Sequence, residues 1–167
     1  MKKYFRYINI NLLILFQVFT FISCSVNKLP MNTSIHNHVI RLKPGMDLKK
    51  SIQSYISDHN IQAAWIVTCV GSLTKYELRL ANQPYTSSDS GHFEIVSLTG
   101  TLSSNGSHLH MSISDSTGKT IGGHLADGNI IYTTAEIVIQ SDSSFIFKRE
   151  KDGTTPWQEL QIYQNHN

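Results

Sequence analysis

Apolar and polar residues alternate through most of the second half of the chain. HFEIVSLTGTL (92–102), SHLHMSI (107–113), KTIGGHL (119–125), NIIYTTAEIVI (129–139), SSFIFKRE (143–150) and WQELQIY (157–163) each read as a strand. The connectors SNG, DSTG, ADG and DGTTP are short and rich in turn formers, which predicts consecutive antiparallel pairing. Upstream, AAWIVTCVGSL (63–73) is nearly all apolar, as a central strand buried on both faces would be. KYELRLA (75–81) alternates, and NQPYTSSDSG (82–91) reads as a loop. One segment has helical spacing: DLKKSIQSYISDHN places Leu48, Ile52, Tyr55 and Ile56 on one face behind an Asp47 N-cap. The strand HNHVIRL (36–42) precedes it and ends at Pro44-Gly45. One helix beside a many-stranded, largely antiparallel sheet predicts a single α+β (α/β) domain.

The segment GSHLHMSISDSTGKTIGGHL (106–125) can be tested by its own register. A three-residue loop Ser116-Thr117-Gly118, with Gly118 in the left-handed position, sets Asp115 opposite Lys119. Ile113 then faces Ile121, Met111 faces Gly123 and Leu109 faces Leu125, all apolar or small as a core face requires. On the other face Ser112 meets Gly122 and His110 meets His124, with His108 two residues along the same strand. Opposed Cβ atoms lie about 5 Å apart and diagonal ones about 7–8 Å, a span that three imidazoles can close around one ion. Zinc takes three protein nitrogens in this way and leaves a fourth position for water or substrate. Gly122 and Gly123 keep such a site open, but a bulge there would break the register. A solvated polar strand face is the other reading of the same histidines.

The amino terminus does not fit the pattern of the rest. MKKYFRY is followed by the apolar run INLLILFQVFTFI, an export signal over residues 1–23. As a membrane-spanning helix the run is short and is interrupted by Asn11, Gln17 and Thr20. Phe21-Ile22-Ser23-Cys24 resembles a lipobox (21–24), which makes Cys24 the lipidation site and anchors the chain to a membrane. Residues 24–35, polar and carrying Pro30, form a tether, and the domain proper spans 36–165. The expected location is therefore outside the cytoplasm, in the periplasm or at the outer membrane as a lipoprotein.

Processing also changes the charge. The formal net charge of +2 includes Lys2, Lys3 and Arg6, and loss of these three cations leaves −1. Such a chain lacks the electrostatic footprint of a nucleic-acid binder, and no nucleic-acid-binding residue is assigned. Of the two cysteines, Cys24 is taken by lipid and Cys69 sits in an apolar run as a core residue. No disulfide framework is available, so the domain folds on its own core.

Residues 36–163 resemble the PPC domain (plant and prokaryote conserved domain). The resemblance is carried by RLKPGMDL (41–48), GSL (71–73), GHFEIVSLTGTL (91–102), GSHLHMSISDSTGKTIGGHL (106–125) and TTAEIVI (133–139). It implies a single α/β domain with a mostly antiparallel sheet that assembles as a homotrimer. Plant members join the domain to AT-hooks, whose Arg-Gly-Arg core is absent from these 167 residues. There the stretch matching Gly91-His92-Phe93-Glu94-Ile95 supports protein–protein contacts. The prokaryotic type carries the H-x-H and G-G-H residues, which implies His108, His110 and His124 as metal or small-molecule ligands.

Two carboxylates are candidate catalytic groups. Glu94 points away from Phe93 and Ile95, where it pairs with Arg41, acts as a base near metal-bound water in a trimer cleft, or is a surface or interface carboxylate. Glu136, inside a β-branched run, is costly to bury unpaired and calls for an Arg, a histidine or a subunit boundary. His36 and His38 read as exposed, His59 suits the carbonyl end of the helix, and Trp157 covers a sheet edge or the trimer seam. The expected function is a lipid-anchored homotrimer that binds a divalent transition metal, zinc first, through three histidines. Hydrolase or lyase chemistry on an unknown substrate follows from the open position. The alternatives are a non-enzymatic trimer that binds a small ligand or acts as a scaffold and, last, a DNA-binding protein by family analogy.

Overall fold

Two strands run longer than the alternation predicts, and they organise the rest of the domain. The computed structural model describes residues 34–165. The export signal, the lipobox, Cys24 and the tether up to residue 33 lie outside the described residues. Strands β1 (Ile35–Leu42), β2 (Ala64–Arg79), β3 (Thr86–Ser103), β4 (Gly106–Ser114), β5 (Thr120–Leu125) and β6 (Ile130–Asp142) form one antiparallel sheet in the order β1-β6-β2-β3-β4-β5. Helix α1 (Leu48–Asp58) follows β1, and β7 (Phe145–Glu150) and β8 (Glu159–Gln164) form a separate ribbon. A further β2–β5 pairing, Leu78↔Leu125 and Arg79↔His124, closes β2, β3, β4 and β5 into a ring.

The α+β (α/β) expectation is corrected by this architecture. Strands account for 63% and helix for 8%, so the domain is a mainly antiparallel β structure with one helix, and no trimer is defined by it. The helix has 11 residues and covers part of one sheet face, burying Leu48, Ile52 and Ile56 completely. Asp47 caps it as predicted, accepting from the Lys50 backbone N–H at 3.1 Å. The ring supplies most of the remaining core, including Leu73, Leu78, Leu102, Leu109, Met111, Ile113 and Leu125.

Two segment assignments also change. The apolar run 63–73 and the alternating run 75–81 are one strand, because β2 absorbs register shifts at Gly71/Leu73 and Leu73/Lys75 instead of ending there. It is not buried on both faces: Val67 and Val70 are exposed, since helix and ring cover one face only. The loop read at 82–91 becomes strand from Thr86, pairing Ser87↔Leu78 and Asp89↔Tyr76. Turn-type residues there are exposed on an extended strand that its partner holds in place.

Asn129 locks the closing corner of the ring. It is fully buried, accepts from the Glu77 N–H at 3.0 Å, and donates to the Glu77 carbonyl at 3.0 Å and the Ala126 carbonyl at 2.8 Å. Its own carbonyl accepts from the Leu48 N–H at 2.8 Å, tying the helix start to the same point. Asn129→Ala strips the side-chain partner from two part-buried backbone groups, the Glu77 N–H and the Ala126 carbonyl, each worth about 1–3 kcal/mol, while the Glu77 carbonyl keeps the Ala126 N–H at 3.2 Å. The variant is therefore expected to lose about 2 kcal/mol or more in equilibrium denaturant unfolding. A loss below about 1 kcal/mol would show that the corner closes without it.

Candidate metal centre

The β4–β5 hairpin adopts the register that its apolar face requires. Pairs run from Ser114↔Thr120 through Ile113↔Ile121, Ser112↔Gly122 and Met111↔Gly123 to His110↔His124 without a shift. The Asp115 N–H donates to the Lys119 carbonyl and the Gly118 N–H to the Asp115 carbonyl, each at 3.0 Å. Gly118 sits at φ +81°, the left-handed position that completes a three-residue turn. Gly122 and Gly123 introduce no bulge. A Cβ on Gly123 would come within 2.7 Å of the Arg79 carbonyl oxygen, so glycine is what lets β2 reach β5 and close the ring.

His108, His110 and His124 come together as that register predicts. Each offers a ring nitrogen, and the three atoms lie within 4.8 Å of one another. His108 Nε2 and His110 Nε2 are 3.2 Å apart, and the ring centroids are separated by 4.9, 5.2 and 5.8 Å. His108 and His110 are exposed and His124 is half-buried, so the triad opens to solvent on one side. The His124 Nδ1 atom is buried and has no hydrogen-bond partner.

Burial, reinforced by His108, Arg79, Lys49 and His110, pushes the His124 imidazole down to about 4. Burial also lowers His108, with Arg149 and His110 adding to the effect and Glu159 opposing it. Both rings are therefore neutral at pH 7, the state in which an imidazole nitrogen offers a lone pair to a metal. Three imidazoles with one open side make the donor set of a three-coordinate metal platform.

Two candidate carboxylates stand elsewhere. Glu94 is exposed on β3 opposite Ser114, four residues along β4 from His110. Glu136 is exposed on β6 opposite Arg41, whose Nε donates to Thr134 Oγ1 at 3.0 Å. Neither lines the clefts around the triad. The charged residues that do are Arg79, Arg149, Lys151 and Glu159. Pattern reading misses them because Arg79 ends a long strand and the others belong to β7, β8 and the segment between them. Trp157, expected at a sheet edge or seam, lies against the Arg79 guanidinium at 5.6 Å. Cys69 is buried, which pushes its thiol up to about 12 and keeps it inert.

The other histidines divide. His36 is exposed as expected, but His38 is half-buried and bridges Tyr55 Oη at 3.2 Å and Ser141 Oγ at 2.9 Å. Its partners lie 17 and 103 residues away, on the helix and on β6, which local alternation cannot reveal. His59 closes the helix with Nδ1 at 2.9 Å from the Tyr55 carbonyl, matching its expected place at the carbonyl end.

A mainly antiparallel domain with an H-x-H and G-G-H triad defines a class of small β domains with a histidine platform. The chain belongs to the Plants and Prokaryotes Conserved (PCC) domain family, whose model matches residues 31–143. It is 40% identical over 129 residues to the Bifunctional protein GlmU of Synechococcus sp. strain JA-3-3Ab, covering 77% of this chain. The chain spans about a fifth of the length of the curated relatives it matches, 21% and 20%. Among solved structures it is similar to a hypothetical protein from Salmonella, at 36% identity and TM-score 0.77, covering 79% of this chain and 96% of that one. A metal-containing protein from Archaeoglobus fulgidus shares the fold at 22% identity and TM-score 0.64, covering 75% and 93%. A protein from Bacteroides thetaiotaomicron described as a candidate DNA binder does so at 20% and 0.64, covering 77% and 91%. The family match ends before β7, so Arg149, Trp157 and Glu159 lie beyond it while the triad and Arg79 lie within it.

The pH dependence of stability follows from His124. Its ring titrates near 4 when folded against 6.5 as the ordinary value, so between those values the unfolded chain binds more protons. In metal-stripped protein, stability is expected to rise from pH 4 to pH 6.5 and then level off. His124→Asn should flatten that rise in denaturant melts taken across this range. An unchanged slope in the variant would mean that the ring is not held in its neutral form.

Proposed function

We propose that this chain is an exported, lipid-anchored homotrimer whose PCC domain holds one divalent transition metal, zinc by preference, on His108, His110 and His124. The observation that carries this reading is the geometry of the three nitrogens. Zn–N bonds of about 2.05 Å in a tetrahedral site set neighbouring ligand atoms about 3.3 Å apart. The His108–His110 pair is already at 3.2 Å, and small rotations of the rings bring the third nitrogen in from within 4.8 Å. The orphaned His124 Nδ1 is a further sign of a ring prepared for a partner that the protein itself does not supply.

When bound, such an ion supplies a Lewis acid with an open position, suited to hydrolytic or lyase chemistry on a small molecule. The protein's own residues keep two rings neutral, leave access beside Gly122 and Gly123, and surround the opening with cationic side chains. A second reading is a trimer that binds its ligand without turnover. It is favoured by the position of Glu94 and Glu136, away from the clefts. Exposed Val39, Val67, Val70 and Val96 supply the apolar surface that a trimer would cover. DNA binding rests on family analogy, and the mature charge of −1 opposes it.

Elemental analysis of purified protein tests the metal. One equivalent per chain is expected in the wild type and less than about a tenth of that in His110→Ala, as loss of one of three ligands implies. A metal-free wild type after reconstitution with zinc would sink the proposal. Metabolic labelling with palmitate is expected to mark the wild type but not Cys24→Ala, and native mass spectrometry should give three chains per particle. Salt-dependent DNA binding at micromolar or tighter concentration would instead support the DNA-binding reading.

A further inference from the structure

The cleft on one side of the triad carries more cationic than anionic side chains. Its volume is about 490 Å³, and His108 and His124 form one wall while the β7–β8 ribbon and the segment before β8 form the other. Arg79, Arg149 and Lys151 line it, against a single carboxylate, Glu159. Among the described residues the side-chain ion pairs are Lys49–Asp127 and Lys75–Glu77, so neither arginine has a carboxylate within ion-pair distance. Glu159 is itself engaged, its Oε1 accepting from Thr155 Oγ1 at 2.7 Å.

Arg149 is the telling residue. Only 8% of it is exposed, yet its guanidinium meets a single side-chain acceptor, the neutral hydroxyl of Thr101. A buried cation costs free energy unless it is paired, and a guanidinium has five donors in a rigid fork. Its backbone is clamped from both sides by Asn105, which donates to the Arg149 carbonyl at 3.1 Å and accepts from its N–H at 3.0 Å. Thr101 pairs directly with His108 across β3 and β4, so the guanidinium is anchored beside the triad. Arg79 reaches the same space from the opposite strand, where it pairs with His124 and is braced by the Trp157 ring.

We propose that this cleft binds the oxyanion, carboxylate or phosphate, of a small organic acid, with Arg149 and Arg79 as anchors and Trp157 against the body of the ligand. Both arginines present forked donors that match either oxyanion. A divalent ion on the triad would add positive charge a few ångströms away, so the site is electrostatically complete only with an anion in it. The placing of the ligand's far end at the open metal position rests on the metal reading; the oxyanion contact does not.

Calorimetric titration of the full chain tests both parts, with metal-stripped, exhaustively dialysed protein and zinc-reloaded protein compared at fixed ionic strength. The probes are succinate and inorganic phosphate, with uncharged succinamide as control. At least one oxyanion is expected to bind the metal-free wild type, and the tighter of the two identifies the headgroup. Arg149→Gln and Arg79→Gln should each weaken that binding tenfold or more. Zinc should tighten binding in the wild type and not in His110→Ala. If Arg149→Gln does not fold, the half-buried Arg79 carries the comparison. Arginine-dependent binding with no zinc uptake would remove the metal reading and keep the cleft. Binding of neither oxyanion, or equal binding by wild type and arginine variants, would overturn the proposal.

Discussion

The fold depends on one buried polar corner. Asn129 satisfies both backbone groups of Glu77 and the carbonyl of Ala126, and through them holds the end of β2 against the end of β5. Without that clamp, the β2–β5 contact is a two-residue pairing, Leu78↔Leu125 and Arg79↔His124, extended by one bond from the Ala126 N–H to the Glu77 carbonyl. With it, four strands close into a ring and lose their exposed edges. Closure places a strand end beside each wall of the triad, and it brings Arg79, 45 positions from His124 in the chain, next to it. Glycine at 123 is the steric condition for that approach, and the amide of Asn129 is the energetic one.

The electrostatics of the site follow from the same closure. Three imidazoles packed this tightly cannot all be charged, and Arg79 and Arg149 push the balance further toward neutral rings. Neutral histidines are good metal ligands, whereas the surrounding guanidiniums repel a bare cation. The two tendencies are reconciled if the centre takes a cation and an anion together. The ribbon β7–β8 would supply the anion-binding side of that arrangement, because Arg149 and Trp157 come from it and from the segment that joins its strands.

The hairpin was legible in the residues because three local signals agree: period-two alternation, a DSTG loop and a glycine where the turn needs positive φ. Agreement of that kind fixes register without any knowledge of the rest of the fold. The helix was legible for the same reason, with Asp47 as cap and Leu48, Ile52 and Ile56 as a buried stripe. The fold class was misjudged because one clear helix says nothing about how much sheet surrounds it, and β2 and β3 each continue through residues that locally read as breaks. Asn129 and Arg149 were missed because a polar residue announces itself as buried only once its partners are known. Those partners sit 52 residues away for Asn129 and 44 and 48 away for Arg149.

Glu94 and Glu136 form the contrasting case. Glu136 sits in a β-branched run where a carboxylate is costly to bury unpaired, while Glu94 reads equally as a surface or interface carboxylate. The cost presumes burial, and an antiparallel sheet covered on one face supplies an outward position at every second residue. Both glutamates occupy such positions, so neither carries a cost that needs explaining. Arg149 is the stronger case: it is charged, largely buried, held through its backbone by Asn105, and its guanidinium donates to one neutral side-chain hydroxyl. A largely buried charge with no carboxylate in ion-pair contact is a stronger pointer to a ligand than one that the alternation merely places among apolar neighbours.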